Sequence, residues 1–447
     1  MKKVITYGTY DLLHQGHLNL LKRAKSLGDY LIVGVTTDCF DRERGKLNVR
    51  NNLMERIESV KQTGLADEII IEEYVGQKID DIQRYEVDIF AIGSDWMGQF
   101  DYLNEFCKVV YLPRTEGVSS TILRNASQKN VRLGVIGTGR IANKFIPEAC
   151  FVSGVEITSV YNPMPYEAAA FAKKYSIDDS QNSFNRFIKN VDAVYIAAPH
   201  LTHYDYIKQS LLESKHVLCE TPMVLTGSQA RTLYKIADDR KLVLMEANKT
   251  AHCPAFNHLV TLIKSGAIGT VVDIEASLSK LSSGNLRELD VDQAGGSVTE
   301  LSSYPLLPII KLLGKNYVEL NFYSKFENKV DVYTKGLIRY KNAIATFKLG
   351  LGVKTEGNLV ISGTKGYAYV SAPWWKTDYF ELRFENQNLN KKYFYMYEGD
   401  GLRYELQEFI SCITNNRLST QRLRRSESSL IADIISSFLE KKNVINL

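Results

Sequence analysis

Cysteine is scarce and scattered. The six thiols, at positions 39, 107, 150, 219, 253 and 412, include no CxxC pair. That excludes a zinc knuckle and a disulfide framework, and fits reduced thiols in a cytoplasm. Long apolar runs are missing: none approaches the ~18 residues that a spanning helix needs, so no membrane span is expected. No lysine and arginine block is long enough for a basic tail. The net charge of +4 is small against 55 basic and 51 acidic residues, so nothing in the balance asks for nucleic acid. There is no internal repeat and no low-complexity segment, and no signal peptide is expected before the first strand. What is there is a chain of 447 residues, 45% apolar, long enough for two or three domains at about 150 residues each.

The stretch that organises the chain is residues 8–17, GTYDLLHQGH. An apolar run, Val4 to Tyr7, precedes it and reads as a strand. LNLLKRAKSLG follows, with Leu18, Leu21, Ala24 and Leu27 at helical spacing and Gly28 as a stop. His14 and His17 therefore sit where a strand hands over to a helix N-terminus, a place that favours anions. Two histidines three apart could also be metal ligands. Metal spacing on a helix is usually i, i+4 with a carboxylate nearby, and Gly16 between them suits close backbone approach. Phosphate chemistry is the better fit.

From there the order reads strand (Tyr30–Thr36), polar loop, helix (51–63), strand (Glu68–Ile71), helix (77–85), strand (Asp88–Ile92), strand (Lys108–Leu112), helix (119–127). Such alternation predicts a parallel sheet covered by helices on both faces. Ligands of such sheets bind beyond the carboxyl ends of the strands. Three clusters lie there: Gly8, Thr9, Tyr10, Asp11, His14, Gly16 and His17; then Gly93, Ser94, Asp95 and Trp96; then Arg114 to Thr121.

GTYDLLHQGHLNLLKRAKSLGDYLIVGV, GSDWMGQFDYL (93–103) and VVYLPRTEGVSST (109–121) resemble the bacterial glycerol-3-phosphate cytidylyltransferases, in order over residues 1–127. The resemblance implies transfer of CMP from CTP to an alcohol phosphate, with release of pyrophosphate. It casts His14 and His17 as contacts to the phosphates that stabilise the transition state, Arg114 as an added charge, and Ser119, Ser120 and Thr121 as the holders of the outer phosphates. Lys46, in the loop RERGKLNVR, would bridge substrate phosphate and CTP with Arg56 nearby, although Arg42 and Arg44 could also fill the lysine role. Asp11 and a Mg²⁺ ion would manage the triphosphate. Asp95 and Trp96 are candidates for cytosine and ribose, and Trp96 could equally be core. Ser-Ser-Thr-x-x-Arg (119–124) also occurs in adenylyltransferases, and RTEGVSST points to CTP.

Residues 122–130, ILRNASQKN, make a short polar junction, after which VRLGVIGTGRIA opens a second pattern. It reads strand, Gly137-Thr138-Gly139-Arg140-Ile141-Ala142, helix. In that setting GxGxxA is a dinucleotide fingerprint: Gly137 makes the turn, Gly139 admits the pyrophosphate, and Ala142 packs the helix on the strand. The next strand, Val155–Tyr161, runs into Asn162 with no Asp or Glu beside it for the ribose hydroxyls. Arg140 could approach a 2′-phosphate, so the cofactor is NAD or NADP.

DAVYIAAPHLTHYDYI (192–207), HVLCETPMVLT (216–226), LVLMEANKTAHCPAFNHLVTLIKSGAIGTV (242–271), AGGSVTELSSYPLLPIIKLLG (294–314) and EGDGLRYELQEFI (398–410) look like the glucose–fructose oxidoreductase and inositol dehydrogenase (Gfo/Idh/MocA) family. The resemblance implies that Ala198, Pro199, His203, Glu220, Thr221, Pro222 and Asn162 join the fingerprint around the cofactor. The family's catalytic Glu-Lys-Pro reads Glu220-Thr221-Pro222 here. A threonine cannot replace the lysine as an acid near neutral pH. Gly295, Gly296, Glu300 and Tyr304 stand where the family often has a GG…D…H/Y pattern. Tyr304 could serve as the acid, and Lys249 could supply the missing ammonium or be an ordinary surface lysine.

The expected fold class is α/β. A Rossmann-like nucleotidyltransferase domain (1–127) is followed by a NAD(P)-binding Rossmann domain (131–250) and an α+β domain with a large, mostly antiparallel sheet (251–447). The two resemblances together imply a bifunctional enzyme of CDP-polyol synthesis for capsule or teichoic-acid-like polymers, its reductase supplying the polyol phosphate. The alternative is a cytidylyltransferase with a catalytically impaired dinucleotide-binding module. Members of both families commonly form homodimers or homotetramers, and the same is expected here.

Overall fold

Five short apolar runs become the parallel strands β1 (Lys3–Gly8), β2 (Tyr30–Thr36), β3 (Glu68–Glu72), β4 (Ile89–Gly93) and β5 (Lys108–Leu112), in the order β3-β2-β1-β4-β5. The central residues of β1, β2 and β4 are buried on both faces, as helices on both sides demand. The order reverses between β1 and β4, so the crevice of the sheet opens at the carboxyl ends of those two strands. The computed structural model describes residues 1–43, 49, 51–74, 76–113, 130–284 and 286–447, the side chains of residues 39, 42, 43 and 95 excepted. Within these, the chain divides into a unit of residues 1–129 and a unit of residues 130–447.

The strands and helices expected in the first unit are found within two residues of their predicted ends, apart from 119–127, which lies outside the described residues. One feature differs. The polar loop after β2 opens with a short helix, Asp38–Glu43. The Thr37 hydroxyl accepts from the Phe40 N–H at 3.1 Å, and Asp38 and Asp41 lie in the first turn, where the helix dipole favours them.

In the second unit β6 (Val131–Ile136), β7 (Val155–Tyr161), β8 (Asp179–Gln181), β9 (Ala193–Ile196), β10 (His216–Glu220) and β11 (Leu244–Ala247) form a parallel sheet ordered β11-β10-β9-β6-β7-β8. The crossover lies between β6 and β9. A nine-stranded sheet follows: β12 (Val271–Ser279), β13 (Glu319–Glu327), β14 (Val330–Arg339), β15 (Ile344–Gly350), β16 (Leu359–Gly363), β17 (Tyr367–Val370), β18 (Tyr379–Arg383), β19 (Lys391–Phe394) and β20 (Val444–Asn446), ordered β19-β18-β17-β16-β12-β15-β14-β13-β20. It is antiparallel except for the pairs β12–β15 and β13–β20.

Two late helices return to the six-stranded sheet. The helix Leu402–Thr414 places Leu406, Phe409 and Ile410 in one apolar cluster with Leu133, Phe145 and Leu218. The helix Arg425–Leu439 lies against Gly227–Asp239 so closely that a Cβ on Gly227 would collide with the Asp433 carboxylate. The dinucleotide fold and the large sheet are thus knitted by chain that comes after most of both.

Candidate active sites

The first site grows from the end of β1. Tyr10 and Leu12 hold left-handed backbone, φ 52° and 46°, a strained turn between β1 and the helix that follows. The helix Gln15–Lys25 then starts with His14 as its N-cap. Its Nδ1 accepts from the Gly16 N–H at 3.0 Å. An accepting Nδ1 carries no proton, so in the neutral ring the proton sits on Nε2. The His17 ring stacks on it, centroids 3.9 Å apart and planes 24° from parallel. Two imidazoles and a helix N-terminus therefore share one place, the geometry expected of a phosphate site.

Behind them the sequence expectations divide. Tyr10 is 1% exposed and meets His17 edge-on at 5.5 Å. Its phenol, held above its ordinary range by burial, supports the histidine and does not face a nucleotide. Arg56 is fully buried as well. Its guanidinium donates to the carbonyls of Asn51 (3.0 Å), Thr9 (2.8 Å) and Thr36 (2.7 Å) and pairs with Asp38. It fastens the ends of β1 and β2 and has no fork to spare for phosphate, because a buried guanidinium has to be matched by acceptors. The Thr9 hydroxyl donates to Asp41 at 2.8 Å. Asp11 accepts from the Asn51 N–H at 3.0 Å. Across the crevice, a Cβ on Gly93 would meet nothing within 4 Å, leaving room at the β4 end. Trp96 is partly buried against Phe100, centroids 5.8 Å apart. Lys46, Arg114, Ser119, Ser120, Thr121 and the Asp95 side chain lie outside the described residues.

The second site begins at Gly137-Thr138-Gly139. Gly137 has φ 98°, and a Cβ there would collide with the Ala197 carbonyl. A Cβ on Gly139 would meet nothing within 4 Å. The helix Arg140–Ala149 that follows has no side-chain cap on its N-terminus. A tight turn, open space and uncapped amides make a cradle that fits a dinucleotide pyrophosphate. Asn143 holds the turn by donating to the carbonyls of Thr138 (3.0 Å) and Gly139 (2.9 Å).

Farther along the carboxyl edge, Ala198 and Pro199 lead into the helix His200–Leu212. His203 is fully buried, its ring nitrogens 2.8 Å from the Ala198 carbonyl and 3.0 Å from the Pro222 carbonyl. It latches two loops together and offers nothing to a cofactor, contrary to the expectation from sequence. Arg140 is exposed, and its charge acts on Glu288 and Tyr304.

The chemistry gathers where β10 and β11 end side by side, Glu220 opposite Ala247. Glu220 accepts from the Tyr195 hydroxyl. Burial pushes its carboxyl above the ordinary range, while that bond and the Lys249 charge pull it back. Thr221 turns away: its hydroxyl donates to Glu246 Oε1 at 3.0 Å. Lys249, at the start of the short helix Lys249–His252, is partly buried, and no hydrogen bond or ion pair among the described residues engages its Nζ. Burial lowers its ammonium pKa, opposed by Glu405, Asp400 and Glu220. Tyr304 is partly buried, its phenol held well above 10 by burial and by Glu220, Glu405 and Glu246.

Sequence reasoning missed Glu405. It is fully buried in the helix Leu402–Thr414, and neither carboxylate oxygen has a hydrogen-bond partner among the described residues. Burial and Glu220 raise its pKa well above 4.5, with Lys249 opposing. Glu300 takes both arms of Arg287, at 2.8 and 2.9 Å, with His200 Nδ1 at 3.5 Å.

Comparison with known proteins separates the halves in the same way. The cytidylyltransferase-like family matches residues 5–126. The oxidoreductase family with an NAD-binding Rossmann fold matches 131–248, and the GFO/IDH/MocA C-terminal domain matches 256–369. The glycerol-3-phosphate cytidylyltransferase of Bacillus spizizenii is 51% identical over 124 residues, 28% of this chain and 95% of its own length. The trans-1,2-dihydrobenzene-1,2-diol dehydrogenase of Oryctolagus cuniculus is 28% identical over 314 residues, 67% of this chain and 95% of its own. Among solved structures, the 3-ketoreductase KijD10 of Actinomadura kijaniata, with NADP and TDP-benzene, shares the fold over 71% of this chain and 100% of that one, with a TM-score of 0.64 at 19% identity. The chain belongs to the cytidylyltransferase-like family through its first unit and carries the Rossmann and C-terminal domains of the GFO/IDH/MocA oxidoreductase family in its second.

Proposed function

We propose that the protein makes a CDP-polyol in two steps: its reductase converts a keto or aldose phosphate to a polyol phosphate, and its first unit joins that product to CMP from CTP. The observation that carries the reading is the stacked pair His14 and His17 at an N-terminal helix end. The nucleophile is a phosphate oxygen of the substrate, already anionic, so no general base is needed. The new P–O bond forms at the α-phosphorus as the bond to pyrophosphate breaks. The stacked imidazoles of His14 and His17 meet the negative charge that spreads over the transferring group. Among the described residues no three His, Cys, Asp or Glu side chains converge to hold a metal. A Mg²⁺ ion would enter with the triphosphate oxygens, Asp11 being the carboxylate nearest in sequence to the histidines.

In the second unit a bound NAD(P)H would supply the hydride. Gly137, Gly139 and the uncapped amides after them hold the pyrophosphate. Lys249 is the proton donor to the carbonyl oxygen, because burial lowers an ammonium toward working pH whereas it raises the Tyr304 phenol away from it. Tyr304 donates a hydrogen bond to the same oxygen. The product would feed capsule or teichoic-acid-like polymers, made by a cytoplasmic homodimer or homotetramer. The test is product identification by mass after incubation with CTP, Mg²⁺ and a panel of polyol phosphates, beginning with glycerol phosphates, and then with NADH or NADPH plus keto and aldose phosphates. Absence of any CDP-linked product sinks the reading.

The Thr221–Glu246 bond favours a second reading, in which the oxidoreductase unit binds a dinucleotide without turnover. No NAD(P)H oxidation with any small keto sugar phosphate, alongside intact cytidylyl transfer, selects it.

A further inference from the structure

The ribose of a dinucleotide is read at the end of the second strand of its sheet, where an acidic residue accepts the 2′-hydroxyl or a basic one receives a 2′-phosphate. In this chain that strand is β7, and it ends at Tyr161 with Asn162 next. The fold brings a carboxylate to this place from five residues farther on. Glu167 lies in the first turn of the helix Pro165–Tyr175 and is half-buried. Its Oε2 accepts from Asn162 Nδ2 at 2.8 Å and from the Thr138 hydroxyl at 3.2 Å, and Asn162 Nδ2 also donates to Thr138 Oγ1 at 2.7 Å. Thr138 is the middle residue of the fingerprint turn. One carboxylate is thus tied at once to the pyrophosphate loop and to the end of β7. Among the described residues, its Oε1 carries only a 3.3 Å contact from the Tyr166 hydroxyl.

We propose that Glu167 selects NAD(H) over NADP(H), by accepting a hydrogen bond from the adenosine ribose and repelling a 2′-phosphate; the inference rests on the reading of the second unit as a dinucleotide-binding enzyme. The surroundings agree. A helix N-terminus would otherwise attract phosphate, but here its first turn carries the acid, and Pro165 at the helix start has no N–H to offer. No lysine or arginine among the described residues pairs with Glu167.

The test is direct binding of NADH and NADPH to the full-length protein, by calorimetry or by nicotinamide fluorescence, without substrate. The wild type is expected to bind NADH about tenfold or more tightly than NADPH, the scale of a hydrogen bond to a charged acceptor. Glu167→Gln should narrow that ratio, mainly by tightening NADPH. The ratio is read within one protein, so a general loss of stability cancels, and the wild-type ratio stands even if the variant fails to fold. Equal affinity for the two cofactors, or an unchanged ratio in Glu167→Gln, overturns the role of Glu167 alone. Binding of neither dinucleotide overturns the dinucleotide reading and this inference with it.

Discussion

The Thr221 hydroxyl donates to Glu246 Oε1 at 3.0 Å, inward and away from the cleft that the end of β10 faces. Glu246 also accepts from the Met223 N–H at 3.3 Å and from Ser428. Threonine at this position is therefore part of a buried acceptor's hydrogen-bond shell, and an ammonium, that of Lys249, follows the end of the neighbouring strand β11. If Lys249 supplies it, Lys249→Met should lower reductase kcat/KM by about 100-fold or more. Thr221→Lys should give no comparable gain. Steady-state NAD(P)H oxidation checks both, and a large gain in Thr221→Lys would mean that the native site lacks a working acid.

The orphaned carboxylate of Glu405 gives a pH signature of stability. Burial and Glu220 raise its folded-state pKa well above 4.5, so the fold holds a proton that the unfolded chain releases near its ordinary value. Its contribution is fully present below that value and is lost as pH rises toward the raised one, by up to about 1.4 kcal/mol per pH unit for one proton. Glu405→Gln keeps the shape and removes the titration. Denaturant midpoints of the second unit, followed upward from about pH 5, should fall less steeply in the variant; an equal slope would place the titration elsewhere.

Cytidylyl transfer should depend on His14 and His17 without touching the other unit. His17→Ala removes one donor from the transition state and is expected to lower kcat by about 10²–10³-fold. His14→Ala should do the same and also weaken the helix start, since His14 Nδ1 accepts from Gly16 N–H. NADH binding should be unchanged in both, which fluorescence titration can show.

Arg56 separates a structural cation from a ligand-binding one. Its removal takes one buried donor from three backbone carbonyls and Asp38 inside the first unit. Arg56→Met should destabilise that unit by about 3–5 kcal/mol, seen in its denaturant midpoint. An unchanged midpoint with a raised KM for CTP would instead return Arg56 to the phosphates.

Much of this architecture was legible in the sequence because its signals are local. The strand–turn–helix at residues 4–27 and the one at residues 131–149 each combine an apolar run, a fixed turn and a helical period, and both form as read. The site was less legible wherever a residue acts through the tertiary fold. Arg56 reads as a phosphate contact until the strand ends that claim its guanidinium are in place. Glu167 is not marked by the ribose rule, which looks at the strand end, because it lies in the first turn of the following helix. Glu405 is more than 150 residues from Lys249 in sequence, and only the return of its helix to the six-stranded sheet joins them.

The two fingerprint glycines should fail in different ways. At Gly137 a Cβ would overlap the Ala197 carbonyl on left-handed backbone, so Gly137→Ala strains the turn itself and should cost stability as well as binding. At Gly139 the backbone is ordinary and the space beyond it is open, so Gly139→Ala should leave the denaturant midpoint within about 0.5 kcal/mol of wild type. That space is where the pyrophosphate would press against the helix amides, and a methyl there should still weaken NADH binding by about tenfold or more. Stability and binding measured on both variants give the contrast. Intact NADH affinity in Gly139→Ala would mean that the dinucleotide does not approach this helix end.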